Sequence, residues 1–398
     1  MNRPIKTDET MATQRGTNDA NEYLLVTGCY RSGTTVVEKV LNMHPAVTVA
    51  SQPFPVLYFM VKEQFNKTLG IERRYPLDHL FLEDAYTPEQ FEAFLDSHCL
   101  DEASLGVFVR RMHEYSEGLW TPAILGLLSG LMPGTFYDVY EQLLARVARL
   151  FPKAERRYLG SKEVLVEEFA APLMRKEVRT IFVVRDPRAM IASLNFRERD
   201  NLTGNLRPVL YSLRAWRKSV ALAQSAMVGS SAYLVRYEDV VRNALHALEG
   251  LVHFLGVAPY AANAFAEGLI DQDGRPWKGN SSFSDQKGIS GASLDAYASR
   301  LPKTVQAFVE AVCEPEMELM GYDLTCSAAE RSNALETYTD PFSSIHERFP
   351  ADYSSDLARR RQEKDRLRLL QDGVEDIESQ RRWFIAPEAY SALAAARS

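Results

Sequence analysis

The chain has 398 residues, and its 46 Lys and Arg against 53 Asp and Glu give a net charge of −7, which disfavours broad binding to nucleic acid or anionic membranes. The length permits a large α/β core, and no stretch reaches the roughly 18 uninterrupted apolar residues of a membrane-spanning helix. The four cysteines are scattered without Cys-x-x-Cys spacing, so neither a zinc ribbon nor a dense disulfide framework is indicated.

The N-terminal segment, residues 1–20, is polar, rich in Thr, Asn and Asp, and lacks an apolar core. It therefore matches neither a secretory signal peptide nor a membrane anchor. We expect residues 1–20 to be disordered and the protein to be cytoplasmic.

A strand, a tight loop and a helix are predicted between residues 23 and 45. The run from Tyr23 to Val26 is short and apolar, Gly28 and Gly33 bracket the turn, and apolar residues recur at helical spacing from Thr34 onward. Such a turn directs backbone N–H groups and the positive end of the helix dipole at its occupant. The sequence therefore predicts an anion-binding loop.

Further strands are predicted at 47–50, 157–162, 180–184 and 233–236, each followed by helical sequence. This alternation favours an α/β fold with a P-loop-like, doubly wound parallel sheet flanked by helices. Helices are expected through residue 176, from a cap at Asp186 through Ser193, and at 211–227, 240–254 and 301–320. The stretch at about 56–150 is interpreted as a helical insertion that covers the cleft and shapes an acceptor pocket.

The last part of the chain contains a loop-rich stretch and a charged tail. Residues 271–291 are dense in Gly, Asn, Ser and Asp, which is typical of a loop. Between residues 354 and 383 the chain is highly charged and carries one apolar stripe, which predicts a solvated or packing helix rather than a coiled coil. The domain prediction is an α/β domain at 21–325 and a charged helical extension at 326–398. The stripe consists of Leu367, Leu370, Val374 and Ile377.

The loop from Gly28 to Gly33 nearly matches the phosphate loop of nucleoside-triphosphate enzymes, but Thr34 stands where that loop has lysine. The missing lysine argues against a triphosphate. The cation lies inside the loop instead, as Arg31, whose planar fork can hold a tetrahedral oxyanion through two hydrogen bonds. The run Arg31-Ser-Gly-Thr-Thr resembles the 5′-phosphosulfate loop of sulfotransferases that use 3′-phosphoadenosine 5′-phosphosulfate (PAPS). The alternative is an ordinary glycine-bearing turn of an α/β protein.

Arg185 ends a predicted strand and Ser193 follows it in a helix, which resembles the 3′-phosphate site of the same family. Arg197 lies one helical turn beyond Ser193 on the same face and can join them. The alternative is a salt-bridged strand end with a solvated serine. Two such sites in this order, each at a strand-to-helix junction, favour the nucleotide interpretation.

Two later segments extend the resemblance, which covers roughly residues 23–282. Tyr237-Glu-Asp matches a family motif near the nucleotide, although a helix cap with a packed tyrosine explains it equally well. The loop from Trp277 to Phe283 falls where these enzymes cover the nucleotide; the alternative is a surface loop. Expected contacts are Asn280, Ser281 and Ser282 at the 3′-phosphate side, Lys278 or Lys287 for charge, and Trp277 or Phe283 against adenine.

The resemblance implies a PAPS-dependent sulfotransferase, and the wording of residues 184–189 is closest to the carbohydrate and tyrosylprotein branches. A hydroxyl of a small-molecule or sugar acceptor would displace adenosine 3′,5′-bisphosphate in line at sulfur, aided by alignment and fixed positive charge. Arg31 and Lys162 would surround the sulfonate. A sulfonate carries less charge than a γ-phosphate, so no metal is expected. The 5′-phosphate side would be held by Ser32, Gly33, Thr34 and Thr35.

The identity of the general base is the open point of this interpretation. Tyrosylprotein sulfotransferases have a glutamate at the position of Gln52, and an amide cannot accept the acceptor's proton at neutral pH. Glu163, next to Lys162 at a strand end, is the candidate replacement. The alternatives are an acceptor that ionises easily, or a catalytically silent scaffold that binds the bisphosphate; a P-loop kinase is disfavoured by the missing lysine. Other candidate bases are His79, His98 and His113.

Overall fold

A computed structural model describes residues 21–71, 86–196, 207–270, 274–277, 294–342 and 357–397. At its centre is a sheet of five parallel strands in the order β2-β3-β1-β4-β5, which confirms the predicted doubly wound α/β fold. The strands are β1 (Glu22–Thr27), β2 (Val47–Ser51), β3 (Tyr158–Lys162), β4 (Arg179–Val184) and β5 (Ala232–Arg236).

Helices cover both faces of the sheet, as parallel strands joined by crossovers require. Up to β3 they are α1 (Thr34–Asn42), α2 (Pro55–Thr68), α3 (Pro88–Ser97), α4 (Glu102–Glu114) and α5 (Phe136–Leu150), with 3-10 helices at Ser116–Gly118 and Pro122–Leu127. After β3 come the 3-10 helix Glu167–Phe169 and α6 (Ala170–Arg175), α7 (Pro187–Asn195), α8 (Val209–Ala226), α9 (Tyr237–Arg242) and α10 (Ala244–Leu255). The remaining helices are α11 (Ala296–Arg300), α12 (Lys303–Leu319), α13 (Ala328–Thr337), α14 (Leu357–Asp372), α15 (Ile377–Phe384) and α16 (Pro387–Ala395).

Alternate residues of β1 face two different apolar cores, because successive side chains of a strand point to opposite faces. Leu24 and Val26 pack with Val40 of α1 and Leu251 of α10. Leu25 faces the helices of the predicted insertion. Both faces of β1 are therefore covered, which explains why its sequence is continuously apolar rather than alternating.

The predicted insertion is helical and builds one of these cores together with the sheet. Tyr58 of α2 meets Phe169 edge to face, with ring centroids 4.9 Å apart, and Phe136 of α5 packs against both rings. Leu159 of β3 and Phe182 of β4 belong to the same cluster. The insertion is thus fastened to the sheet by buried aromatic packing, which holds it rigidly beside the strand ends.

Two helical stretches differ from the prediction. The helix predicted at 240–254 is divided into α9 and α10, because the side chain of Asn243 accepts a hydrogen bond from the His246 N–H and caps α10. The helix predicted through residue 176 is the 3-10 helix Glu167–Phe169 followed by the short α6. Gly256 ends α10 in the left-handed conformation, with φ of 61°, as its position after the apolar run indicates.

The C-terminal extension packs on the α/β domain. Leu370 and Val374 are buried with Phe384 of α15, whereas Ile377 is 59% exposed. The predicted stripe is therefore wrong at Ile377, since α14 ends before Gly373, which has φ of 89°, and Ile377 belongs to the separate helix α15. Of the helices that the structure describes, none combines the length and the apolarity needed to cross a bilayer.

Candidate functional site: an anion-binding cleft at the carboxyl ends of the strands

The loop that joins β1 to α1 lies where the strand order reverses. The chain proceeds from β1 to β2 on one side of the sheet, and β4 and β5 lie on the other side. In open α/β sheets, ligands bind in the crevice at the carboxyl ends of the strands at this point. Gly33 is the N-cap residue of α1, with φ of 94°, so the first N–H groups of α1 border the crevice.

Strained backbone follows each of the first three strands. The φ angle is 62° at Arg31, 41° at Gln52 and 62° at Leu165. Such conformations cost on the order of 1–3 kcal/mol each in non-glycine residues and cluster at functional sites. Two of the three are site residues that the sequence predicts.

Tyr237 links the β1–α1 loop to the end of β4. Its ring lies so close to Gly33 that a Cβ atom there would approach the ring carbon Cδ2 to 2.1 Å. The guanidinium carbon of Arg185 lies 4.6 Å from the centroid of the same ring, within cation–π distance. Glycine is thus required at position 33 both by its positive φ and by the tyrosine, and the aromatic ring fixes the arginine relative to the loop.

Arg31, Arg185 and Ser193 meet at one place. Arg185 Nη1 donates to the carbonyl oxygen of Arg31 at 3.3 Å, and Arg31 Nε donates to Ser193 Oγ at 2.9 Å. The two anion sites that the sequence predicts are therefore adjacent. The Arg31 side chain, however, reaches Ser193 on the side predicted for the 3′-phosphate, whereas the sequence predicts it at the sulfonate. The Arg31 backbone is in the left-handed conformation.

The remaining loop residues differ in exposure. Ser32 and Thr34 are buried, and Thr35 is half-buried at the start of α1. Ser32 Oγ has no hydrogen-bond partner within the described part of the chain. A buried hydroxyl without a partner is costly. Its place next to a helix N-terminus therefore fits an anionic ligand that would accept a hydrogen bond from it.

Lys162 and Gln52 lie together at the ends of β3 and β2. Lys162 Nζ donates to Gln52 Oε1 at 3.4 Å, and the backbone N–H of Gln52 donates to the Lys162 carbonyl at 2.8 Å. Burial lowers the pKa of Lys162 to about 8, although the charges of Glu38 and Glu163 oppose this. The ammonium form still predominates at pH 7, so the site keeps a positive charge there.

Glu163 is fully buried, which separates it from an incoming acceptor. Its Oε1 accepts a hydrogen bond from the Phe54 N–H at 3.3 Å. Burial raises its pKa to about 8, although the charge of Lys162 opposes this. A general base must lie within hydrogen-bond reach of the acceptor, so this burial does not suit the role of general base predicted for Glu163.

A model of the sulfotransferase family matches residues 24–261. The chain belongs to this family. The match begins in β1 and includes the β1–α1 loop, Lys162, Arg185, Ser193 and Tyr237. The residues that meet in the cleft therefore all lie within the sulfotransferase region.

Curated relatives are carbohydrate sulfotransferases. Mouse carbohydrate sulfotransferase 3 is 29% identical over 191 residues, which cover 42% of this chain and 39% of the mouse protein. The human protein of the same name is 29% identical over 207 residues, covering 45% of this chain and 41% of its own length. This chain thus spans well under half of the length of the relatives it matches.

Solved sulfotransferase domains align over most of the chain. The sulfotransferase domain from the Synechococcus PCC 7002 olefin synthase has a TM-score of 0.46 and 19% identity, and covers 78% of this chain and 99% of its own. The sulfotransferase domain from the curacin biosynthetic pathway has a TM-score of 0.44 and 17% identity, with coverage of 77% and 99%.

Helix α8 supports the loops of this cleft by hydrogen bonds, a role that no sequence motif indicates. The indole Nε1 of Trp216 donates to the carbonyl oxygen of Arg185 at 2.8 Å. Ser219 Oγ accepts from the Cys29 N–H at 3.1 Å and donates to Glu167 at 2.6 Å. These residues lie in an apolar helical stretch whose periodicity indicates only a buried helix.

The motif Tyr237-Glu-Asp places its glutamate against the start of α7. Glu238 accepts from the Asp186 N–H at 2.9 Å and from the Tyr322 hydroxyl at 3.0 Å. Burial raises the pKa of Glu238, although the Asp186 N–H opposes this. Asp186 caps α7 as predicted, since its carboxylate accepts from the Arg188 N–H at 2.8 Å. The glutamate therefore fastens β5 to the β4–α7 junction that carries Arg185.

The described histidines of the insertion lie in other surroundings. His98 Nε2 is 3.1 Å from Gln64 Oε1, and the ring stacks on Phe94 with centroids 4.4 Å apart. His113 lines a cavity of about 650 Å³ between α4 and residues 125–133, to which no residue of the cleft contributes. Within the described ranges, no group of three or more His, Cys, Asp or Glu side chains is arranged to hold a metal ion.

Several predicted contacts lie outside the described residues. Trp277 is described: it is half-buried, and it packs beside the core that contains Val40 and Leu251. Its stacking on adenine stays a prediction. The residues outside the described ranges are His79, Arg197, Lys278, Asn280, Ser281, Ser282, Phe283 and Lys287.

Proposed function

We propose that this protein transfers a sulfonate group from PAPS to a hydroxyl of a small-molecule or sugar acceptor, giving adenosine 3′,5′-bisphosphate and a sulfate ester. The observation that carries the proposal is the meeting of Arg31, Arg185 and Ser193 beside the N-terminus of α1. Two guanidinium groups and a hydroxyl suit a phosphate dianion, and the helix N-terminus next to them suits a second one. PAPS has both groups and supplies the sulfonate and its leaving group.

Different residues of the cleft would bind the two ends of the nucleotide. The 3′-phosphate would be held by Arg185, Ser193 and Arg31, and the Tyr237 ring keeps the Arg185 side chain in place. Ser32 would donate its unpartnered hydroxyl to the 5′-phosphate, together with the N–H groups at the start of α1. Lys162 would place its ammonium group at the sulfonate and neutralise the charge that develops on the leaving oxygen.

A second candidate function is a catalytically silent protein that binds the bisphosphate. It is favoured by the amide at Gln52 together with the burial of Glu163, because an amide cannot take a proton and a fully buried carboxyl group is out of reach of an acceptor. Transfer of radiolabelled sulfonate from PAPS to any acceptor excludes this candidate. Bisphosphate binding without transfer supports it.

Calorimetric titration with adenosine 3′,5′-bisphosphate tests the donor site. We expect Arg185→Ala to weaken binding by about 1.5–3 kcal/mol for each charged hydrogen bond lost, which is roughly 10- to 150-fold. Ser193→Ala removes one neutral hydroxyl, so a smaller loss of about 0.5–1.5 kcal/mol is expected.

The matched control is Arg242→Ala, which removes a side chain of α9 that is 61% exposed. It should bind the bisphosphate like the parent protein. Equal affinity of the parent and Arg185→Ala would refute the assignment of the 3′-phosphate site. Magnesium-dependent binding of ATP that is tighter than binding of the bisphosphate would instead indicate a kinase.

A further inference from the structure

An exposed aromatic surface lies beside Lys162, on the side of the cleft that the insertion supplies. The side chains of Tyr115 and Trp120 are 40% and 46% exposed, and the Trp120 ring centroid lies 5.6 Å from Lys162 Nζ. Thr121 Oγ1 donates to the carbonyl oxygen of Ser51 at 2.7 Å and fastens this segment to the end of β2. Trp120, which together with Tyr115 defines the aromatic surface, is thus held at the ends of β2 and β3.

The shape of this surface selects acceptors with a flat face. Large exposed rings next to a buried ammonium group bind planar or ring-shaped ligands by stacking, with the ligand's polar end toward the charge. An aryl ring stacks in this way, and so does the apolar face of a sugar. The two classes differ in the acidity of the hydroxyl, so they are distinguished by whether the protein has a group that can accept the hydroxyl proton.

The carboxyl groups beside Lys162 are both buried, so neither is exposed at the aromatic surface. Glu38 is fully buried, and its Oε1 accepts from Lys39 Nζ at 3.1 Å and from Asn42 Nδ2 at 2.7 Å. Glu163 is fully buried with its Oε1 on the Phe54 N–H.

The other polar groups next to the aromatic surface cannot act as a base at neutral pH. Gln52 presents an amide and Lys162 an ammonium group. Burial raises the pKa of Tyr115, so its hydroxyl stays protonated at neutral pH.

We propose that the acceptor is a phenol, which stacks on Tyr115 and Trp120 and presents its ionised oxygen to Lys162. This inference rests on the proposed function. An unsubstituted phenol has a pKa of about 10, and electron-withdrawing substituents lower this pKa. Part of the phenol is therefore ionised without a protein base, whereas an aliphatic hydroxyl is far less acidic. The ammonium group of Lys162 would stabilise the phenolate further.

The transfer step balances without a further reactant. The phenol loses its proton to solvent before the reaction. Its oxygen then forms the bond to sulfur, while the bond from sulfur to the bridging oxygen of PAPS breaks. The electron pair of that bond leaves with adenosine 3′,5′-bisphosphate.

A series of phenols whose pKa values lie at stepwise lower values below about 8, where Lys162 loses its proton, tests the inference in a labelled-sulfonate assay together with sugar and alkyl alcohols. We expect transfer to the phenols, and we expect the alkaline rise of kcat/KM to move to lower pH with the pKa of the phenol. Sugars that react as fast as the phenols, or a midpoint that is the same for every phenol, would overturn the inference.

Two kinds of variant sharpen the test. Gln52→Glu introduces a carboxylate at the aromatic surface, and we expect it to make transfer less dependent on the pKa of the acceptor and to extend it to alcohols. Trp120→Leu should raise the KM for phenols about threefold to tenfold while bisphosphate affinity stays unchanged. Met132→Ala removes a side chain that is 67% exposed and lines the separate cavity beside His113, and it should leave the KM unchanged.

Bisphosphate binding separates failure of this inference from failure of the proposed function. A protein that binds the bisphosphate and sulfonates alcohols but not phenols refutes only the acceptor class. A protein that binds the bisphosphate and sulfonates nothing also overturns the inference and leaves the silent scaffold. A protein that does not bind the bisphosphate refutes both proposals.

Discussion

Substitution of Glu363 by Gln tests the reasoning about buried charge most directly. This carboxylate of α14 is 2% exposed and lies among three arginines that are at most 2% exposed. It accepts from Arg214 Nε at 2.8 Å and from Arg217 Nη1 at 2.6 Å, and Arg366 Nε lies 3.6 Å away. Glu316 is the second carboxylate of this cluster, and it accepts from Arg217 at 3.0 Å and from Arg366 at 2.8 Å.

The expected loss of stability follows from the pKa of Glu363. Burial alone would raise this pKa, but the charges of Arg217, Arg214 and Arg366 outweigh burial and lower it from 4.5 to about 2. Since one pKa unit corresponds to about 1.36 kcal/mol, the ionised form contributes roughly 3 kcal/mol to folding. Loss of one partner from a buried ion pair costs about 3–5 kcal/mol in other proteins, which agrees in order of magnitude.

The pH dependence has a definite sign. The folded-state pKa of Glu363 is depressed, so its contribution is complete above the unfolded-state pKa of 4.5 and is lost as the pH falls toward about 2. The difference in the free energy of unfolding between the parent and Glu363→Gln should therefore be constant near neutral pH. It should shrink progressively below about pH 4.5.

Urea unfolding of the parent, Glu363→Gln and Glu375→Gln measures this difference. Glu375 is an exposed carboxylate between α14 and α15, so its substitution should change stability by less than about 0.5 kcal/mol. A loss below about 1 kcal/mol at pH 7 for Glu363→Gln, or a loss that persists unchanged at acid pH, would refute the electrostatic account.

Two further predictions concern the cleft itself. Gly33→Ala should weaken bisphosphate binding at least tenfold, because φ of 94° costs a residue with a Cβ about 1–2 kcal/mol and the new atom would lie 2.1 Å from Tyr237; Gly126→Ala, where a Cβ meets nothing within 4 Å, is the control for calorimetry. With an acceptor that is fully ionised throughout, kcat/KM should fall as pH rises through about 8, because Lys162 loses its proton there. Glu163 has a pKa of about 8 as well, so Glu163→Gln is the control. If Lys162 causes the decrease, this variant should still show it; loss of the decrease would assign it to Glu163 instead.

The fold and the adjacency of the two predicted anion sites could be predicted because local patterns specify them. The apolar run before Gly28, the glycine pair and the helical spacing after Thr34 each report local backbone geometry. The position of Arg185 at a strand end, followed by Ser193 in the next helix, likewise depends on short-range sequence. A parallel sheet then places all strand ends at one edge, which brings distant segments together without further information.

Side-chain direction and burial could not be predicted in the same way. The sequence places Glu163 next to Lys162, but only the structure shows that the carboxyl group is fully buried and accepts a hydrogen bond from the Phe54 N–H. Arg31 belongs to the predicted loop, yet its direction toward Ser193 depends on the conformation of a flexible side chain. Trp216 carries no motif, because a hydrogen bond to a backbone carbonyl requires only that a donor be nearby.

Helix α8 joins the charged extension to the proposed donor site, and this gives Glu363→Gln a second consequence. Arg214 and Arg217 bind Glu363 on one side of the helix, while Trp216 and Ser219, in the same two turns, hold the β4–α7 and β1–α1 loops. In Glu363→Gln the arginines lose the negative charge that holds them together, and α8 is expected to shift so that they separate. Such a shift also moves Trp216 and Ser219, which hold the two loops. We expect Glu363→Gln to raise the bisphosphate Kd at full binding stoichiometry. If the variant merely unfolds in part, the stoichiometry falls while the Kd of the remaining folded protein stays that of the parent, and the coupling through α8 is refuted.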